Sequence, residues 1–124
     1  MATAGESYAL GGWNSVPATA KEVYDPGSGT WATLAPLPAN RTDLAVVSWR
    51  GRILAIGGAS TCWGETQGSV WIYDPLIDAW SEGPSMPTPR QQIEAAVVGS
   101  TVYVPGGAVS ANAGSGVVES LKVP

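Results

Sequence analysis

The chain has 124 residues and a net charge of −4, and its six basic residues are scattered, which excludes the dense basic surface of a nucleic-acid-binding protein. No run of 18 apolar residues occurs, so no helix is expected to span a membrane, and residues 1–6 lack the basic and apolar regions of a signal peptide. Histidine is absent and Cys62 is the single cysteine, which removes an internal disulfide, metal sites of the usual nitrogen or sulfur kind and histidine-based triads.

The elements read in chain order as short strands. Ser7-Tyr8-Ala9-Leu10 is an apolar run stopped by Gly11-Gly12. A second strand leads to Tyr24, and Asp25-Pro26-Gly27-Ser28-Gly29 is a turn between it and the next strand. Leu44 to Trp49 is a strand, and Arg52 to Ile56 is another, stopped by Gly57-Gly58. Val70-Trp71-Ile72-Tyr73 is β-branched and aromatic, and Asp74-Pro75 breaks it. Ile93 to Val98 and Thr101 to Val104 follow, ahead of Gly106-Gly107, and Val117 to Leu121 ends the series. Gln91 to Val98 alone could pass for a helix, because Gln, Glu and Ala favour one. Its repeat partner, with Val46, Val47 and Trp49, does not, so both read as strand. The 16 Gly and 10 Pro suit such a chain.

A repeat organises these elements. Tyr24 to Gly58 recurs, without a gap, as Tyr73 to Gly107 at an offset of 49 residues. Eight of the 35 pairs are identical, and they are turn formers and large anchors: Tyr24-Asp25-Pro26, Trp31, Pro38, Arg41 and Gly57-Gly58 match Tyr73-Asp74-Pro75, Trp80, Pro87, Arg90 and Gly106-Gly107. Gly11-Gly12 belongs to a third copy 46 residues before Gly57-Gly58, and the missing residues fall in the loop after the glycines. A period near 50 residues is the signature of a propeller blade.

The pattern resembles the kelch repeat. It reads Ile53-Leu54-Ala55-Ile56-Gly57-Gly58, then Val70-Trp71-Ile72-Tyr73-Asp74-Pro75, Trp80, Met86-Pro87 and Arg90, and the likeness extends from about Tyr8 to Leu121. The resemblance implies an all-β fold of four-stranded antiparallel β-propeller blades and a non-catalytic binding or scaffold role. Residues 7–34 would form a partial blade of strands two to four, 43–83 a complete blade, and 92–123 a partial blade of strands one to three. Propellers usually have four to eight blades, so two and a half need company. Either the chain is part of a longer propeller, or two copies close a six-bladed ring head to tail, with residues 1–6 supplying an edge strand. Kelch-like oxidases and specifier proteins need His ligands, which this sequence lacks, so no metal or other cofactor is expected.

Recurrence separates structural residues from functional ones. Arg41 and Arg90 could contact an anion, but their recurrence favours a structural role. Trp31 and Trp80 recur at one framework position, which favours blade-to-blade packing. The Gly-Gly pairs lack phosphate-loop spacing and read as backbone devices. The non-repeating loops are better candidates. In the kelch pattern, the loops after Gly-Gly and those leading to the innermost strands open on one face. They hold Trp13, Asn14, Ser15, Asn40, Arg41, Thr42, Asp43, Ser60, Trp63, Glu65, Arg90, Gln91, Gln92, Ser110 and Asn112. Trp13 and Trp63 have no repeat-matched role and read as candidate anchors for a protein or peptide. An alternative is a sugar-active epimerase, lyase or glycosidase with acids clustered at the axis. A third is a purely structural fragment of a longer propeller.

Overall fold

The computed structural model describes residues 2–3, 6–12, 19, 21–60, 65–110 and 113–122. Trp13, Asn14, Ser15, Cys62, Trp63 and Asn112 lie outside the described residues.

Thirteen strands and no helix occur among the described residues. The first sheet runs β1 (Ala2–Thr3), β2 (Glu6–Leu10), β3 (Lys21–Asp25), β4 (Thr30–Thr33), each beside the next. The second runs β5 (Ala45–Trp49), β6 (Arg52–Ile56), β7 (Val70–Asp74), β8 (Ala79–Glu82) in the same way. The third places β9 (Ala96–Val98), β10 (Thr101–Pro105) and β13 (Val118–Lys122) side by side. A small pair, β11 (Ala108–Ser110) and β12 (Ala113–Gly114), stands apart. All neighbours are antiparallel. The sheets are three blades of an unclosed β-propeller.

Three details differ from the sequence reading. The first sheet has a strand ahead of the three expected, with Ala2 opposite Ser7 and Thr3 opposite Glu6. The hairpin of β11 and β12 follows Gly106-Gly107, where a loop was expected. The expected strand from Ile93 shortens to Ala96–Val98. Gln92, just ahead of it, has a positive φ of 52°, which an extended strand does not accommodate. Gln91 to Val98 is strand or irregular, not helix.

Burial follows from each blade's neighbours. Successive strand residues point to opposite faces. The second blade is covered on both, so Ile53, Leu54, Ala55 and Ile56 are all buried and the strand reads as one apolar run. In the third blade only Val102 and Val104 of β10 are buried, while Tyr103 between them is exposed. Leu54, Ile56, Val70, Ala45, Val47 and Trp49 form the core shared with Val102, Val104 and Ile93 of the third blade. On the other side, Ile53 and Tyr73 pack with Tyr8 of the first blade.

The repeated glycines work at these junctions. Gly58 N donates to Arg90 O at 2.9 Å, and Gly12 N donates to Arg41 O at 3.0 Å. A Cβ on Gly57 would stand 2.6 Å from Arg90 O, and the residue has φ +60°. Glycine alone satisfies both the left-handed backbone and the close approach. Gly11-Gly12 and Gly57-Gly58 thereby fasten one blade to the arginine segment that opens the next.

Candidate functional site

The face that carries the post-glycine loops is built on backbone ladders. Thr42 bridges Ala59, Ala59 bridges Thr66, and Gln91 bridges Ala108. These bridges bring the segments entering the innermost strands beside the segments leaving the glycines. The loop between Ser60 and Glu65 is pinned at its base: Ser60 N donates to Glu65 O at 3.0 Å, and Ser60 Oγ donates to the Glu65 carboxylate at 3.3 Å. Gln67 Nε2 donates to Ser60 Oγ at 3.1 Å. Gln91 Nε2 donates to Thr66 Oγ1 at 3.0 Å, and Thr66 Oγ1 donates to Val109 O, linking the second blade to the third.

The candidates divide by depth. Asp43, Glu65 and Gln92 are exposed, and Asn40, Ser60 and Ser110 are half-buried. Arg41, Thr42, Arg90 and Gln91 are buried, and they support the face from beneath. Asp43 and Gln92 hold the same place in two repeats, with φ of 56° and 52°. Gln92 N donates to Asp43 O at 2.9 Å, so the two lie side by side at the entrances of β5 and β9. Below them a cavity of about 400 Å³ is lined by Leu44, Ala45, Val46, Ile93, Glu94 and Ala95.

The two arginines are alike in sequence and different in surroundings. Arg90 is fully buried. Its Nη1 donates to Val104 O and Gly106 O, both at 2.8 Å, and its Nη2 meets the Glu119 carboxylate at 2.8 Å. Thr88 Oγ1 holds the same carboxylate at 3.0 Å. The position of Glu119 in its blade is held by Trp71 in the second blade. There the Arg41 guanidinium stacks on the Trp71 ring, 4.6 Å from its centroid, and donates to Asn40 O at 2.7 Å. Burial without a carboxylate lowers the Arg41 pKa. Its Nε has no hydrogen-bond partner among the described residues.

Gln67, Ser69 and Thr66 complete this network and were not singled out in the sequence. Their signal is the polar stretch Glu65-Thr66-Gln67-Gly68-Ser69 ahead of an apolar strand. Asp78, in the turn that follows Asp74-Pro75, was not singled out in the sequence either. It accepts the Tyr73 hydroxyl at 2.6 Å and Ala35 N at 3.0 Å, and these bonds hold its carboxyl below the usual range. The opposite face carries a second cavity of about 490 Å³, lined by Trp49, Arg50, Gly51, Arg52, Asp74 and Leu76. Arg52 pairs there with Asp74 at 3.9 Å. Exposed acids mark the loop face, and the face opposite carries Arg50 and Arg52 together with the turn acids Asp25, Asp74 and Asp78.

The Gly-Gly to arginine clasp, the Tyr–Trp pair on successive outer strands and the 49-residue period together define propeller blades of one class. The Kelch motif matches residues 40–87. Kelch-like protein 35 of Mus musculus is 36% identical over 111 residues, which are 89% of this chain and 19% of that protein. Kelch-like protein terF of Aspergillus terreus is 40% identical over 99 residues, 73% of this chain and 21% of that protein. Alpha-scruin of Limulus polyphemus is 31% identical over 94 residues, 72% of this chain and 10% of that protein. The chain belongs to the kelch-repeat family. It spans about a fifth of the length of the first two relatives.

Proposed function

We propose that the chain is a non-catalytic binding module that takes a protein or peptide partner on its loop face. Kelch repeats act in general as protein-interaction and scaffold modules. The observation that carries the reading here is the division by depth. Repeated residues (Arg41, Arg90 and the glycines) fix the backbone, and non-repeated polar ones (Asp43, Glu65, Gln92, Ser60, Asn40, Ser110) sit above it. A rigid frame that displays variable side chains gives recognition at low entropic cost. Asp43, Glu65 and Glu94 leave the face acidic, while Arg41 and Arg90 are turned inward, so basic partner segments are favoured. Trp13 and Trp63 are candidate anchors on the same loops.

The test is pull-down from a lysate under matched salt, followed by titration of the captured protein against substituted chains. Trp13→Ala, Trp63→Ala and the pair Asp43→Ala with Glu65→Ala should each weaken binding about tenfold or more with the fold retained. Retained folding and unchanged binding in all of them would remove the loop face from recognition.

A further inference from the structure

We propose a second binding site on the face opposite the loops, a cleft that takes an acidic peptide segment with an apolar side chain beside its carboxylate. The cleft is the cavity of about 490 Å³ lined by Trp49, Arg50, Gly51, Arg52, Asp74 and Leu76. All six residues belong to the second blade, which has a blade packed on either side.

The repeat sets these residues apart. Trp49 pairs with Arg52 across β5 and β6, so Arg50-Gly51 is a two-residue hairpin turn. The matched residues are Thr3-Ala4-Gly5-Glu6 in the first repeat and Val98-Gly99-Ser100-Thr101 in the third. Neither set holds an arginine, so the framework does not require Arg50 or Arg52. The backbone even disfavours one of them. Arg50 has a φ of 47°, a left-handed value that a long side chain rarely adopts, and the matched Gly99 has a φ of 62°. A strained arginine where glycine serves the fold points to a task for its side chain.

The Arg50 guanidinium is held in place and left without an anion. It lies over the Trp49 ring, 5.0 Å from the centroid, and that indole is fixed by its bond to Ser100 O at 3.1 Å. Arg50 forms no ion pair among the described residues. Arg52 reaches Asp74 only at 3.9 Å, and the Asp74 carboxylate also accepts Leu76 N at 3.0 Å. Asp78, in the same turn, accepts bonds from Tyr73 and from Ala35 of the first blade and does not line the cleft. Two guanidinium groups therefore face one carboxylate, a local excess of positive charge in a chain of net charge −4. A guanidinium grips a carboxylate with two parallel N–H bonds. Beside the charges, Leu76 is 93% exposed and Ile77 is 70% exposed. A free small anion leaves that apolar rim in water, whereas a peptide with acidic and apolar residues in succession covers both.

The test is a titration of the full chain with the peptide acetyl-Glu-Leu-Glu-Leu-amide, followed by the arginine Nε–Hε signals in nuclear magnetic resonance. The expected result is saturable movement of the Arg50 and Arg52 signals with a Kd below about 1 mM, weakened by added salt. Arg52→Gln and Arg50→Gly should each weaken binding about tenfold. Arg50→Gly should at the same time raise the Tm, because glycine relieves the left-handed turn, so its loss of binding is not a loss of fold. Absent binding, binding that persists in both arginine variants, or equal binding of the neutral peptide acetyl-Gln-Leu-Gln-Leu-amide would overturn the proposal. Acetate or inorganic phosphate binding as tightly as the peptide would overturn it too, by reducing the cleft to a small-anion site.

Discussion

The two junctions between blades hold together by different chemistry. The second and third blades meet through aliphatic side chains and the Arg90–Glu119 pair, whose polar atoms are all engaged at the buried end. The first and second blades meet through aromatics around a cation. The Lys21 amino group is buried 2.8 Å from the Tyr73 ring centroid, 5.1 Å from that of Tyr8 and 5.7 Å from that of Trp80. It has no hydrogen-bond acceptor among the described residues. Burial lowers its pKa to about 8, against a smaller opposing pull from Asp78. Blades of one repeat can therefore meet over a satisfied network or, at a different repeat position, over a cation that only ring faces offset. The second solution costs stability, because cation–π attraction recovers part of what desolvation removes.

Breaking the satisfied junction should have the largest effect. Arg90→Met leaves Glu119 half-buried without its cation and removes a donor from four carbonyls, those of Thr88, Val104, Gly106 and Val117, and a loss of about 3–5 kcal/mol is expected from removing one partner of a buried pair. Urea denaturation followed by circular dichroism measures it. The matching change at the other arginine, Arg41→Met, removes no carboxylate partner and should cost roughly half as much or less. Equal losses would show that the carboxylate contributes nothing beyond the stacked indole.

Leu54→Ala, in the fully buried row of the aliphatic junction, should cost about 2–5 kcal/mol. Lys21→Met should change stability in the opposite direction, with a gain of about 1 kcal/mol at pH 7. Its pH dependence has a definite sign. The lysine pKa is about 8 in the fold and 10.5 unfolded, so the unfolded chain holds more protons between those values and wild-type stability rises with pH across the window. The gain of Lys21→Met over wild type should therefore be full below pH 8 and shrink toward pH 10.5. Tyr8 and Tyr73 pull the other way. Their raised values, about 12 for Tyr8, come first from burial and then from bonds to Glu6 and Asp78. Their contribution is full below the unfolded tyrosine value of 10 and is lost above it. Both chains share it, so it cancels in the difference. A gain that is flat with pH would mean that Lys21 is neutral or solvated at that junction.

The smallest change should come from the exposed indole of the first blade, Trp31. Trp31→Ala should alter stability by no more than about 0.5 kcal/mol, whereas Trp80→Ala removes the indole that donates to Ala35 O at 3.0 Å and should cost about 3 kcal/mol. Urea denaturation of the two variants measures the contrast.

The repeat by itself determined most of the framework. Period, Gly-Gly stops, Asp-Pro turns and the Tyr–Trp pair are local features, fixed by φ preferences and strand alternation, so they could be placed from residue identity alone. Gly29 and Asp78 show how local that information is: they hold one turn position in two repeats and share a positive φ, of 70° and 48°. What the identity could not give was the neighbour. Trp31 and Trp80 read as equivalent packing residues, yet one is exposed and the other bonds to the preceding blade. Arg41 and Arg90 read as one structural arginine, yet one stacks on Trp71 and the other meets Glu119. Lys21 carried no signal at all, since a lysine on a strand reads as solvated until a second blade closes over it. Burial and electrostatics belong to pairs of surfaces, and only the tertiary structure decided which surfaces meet.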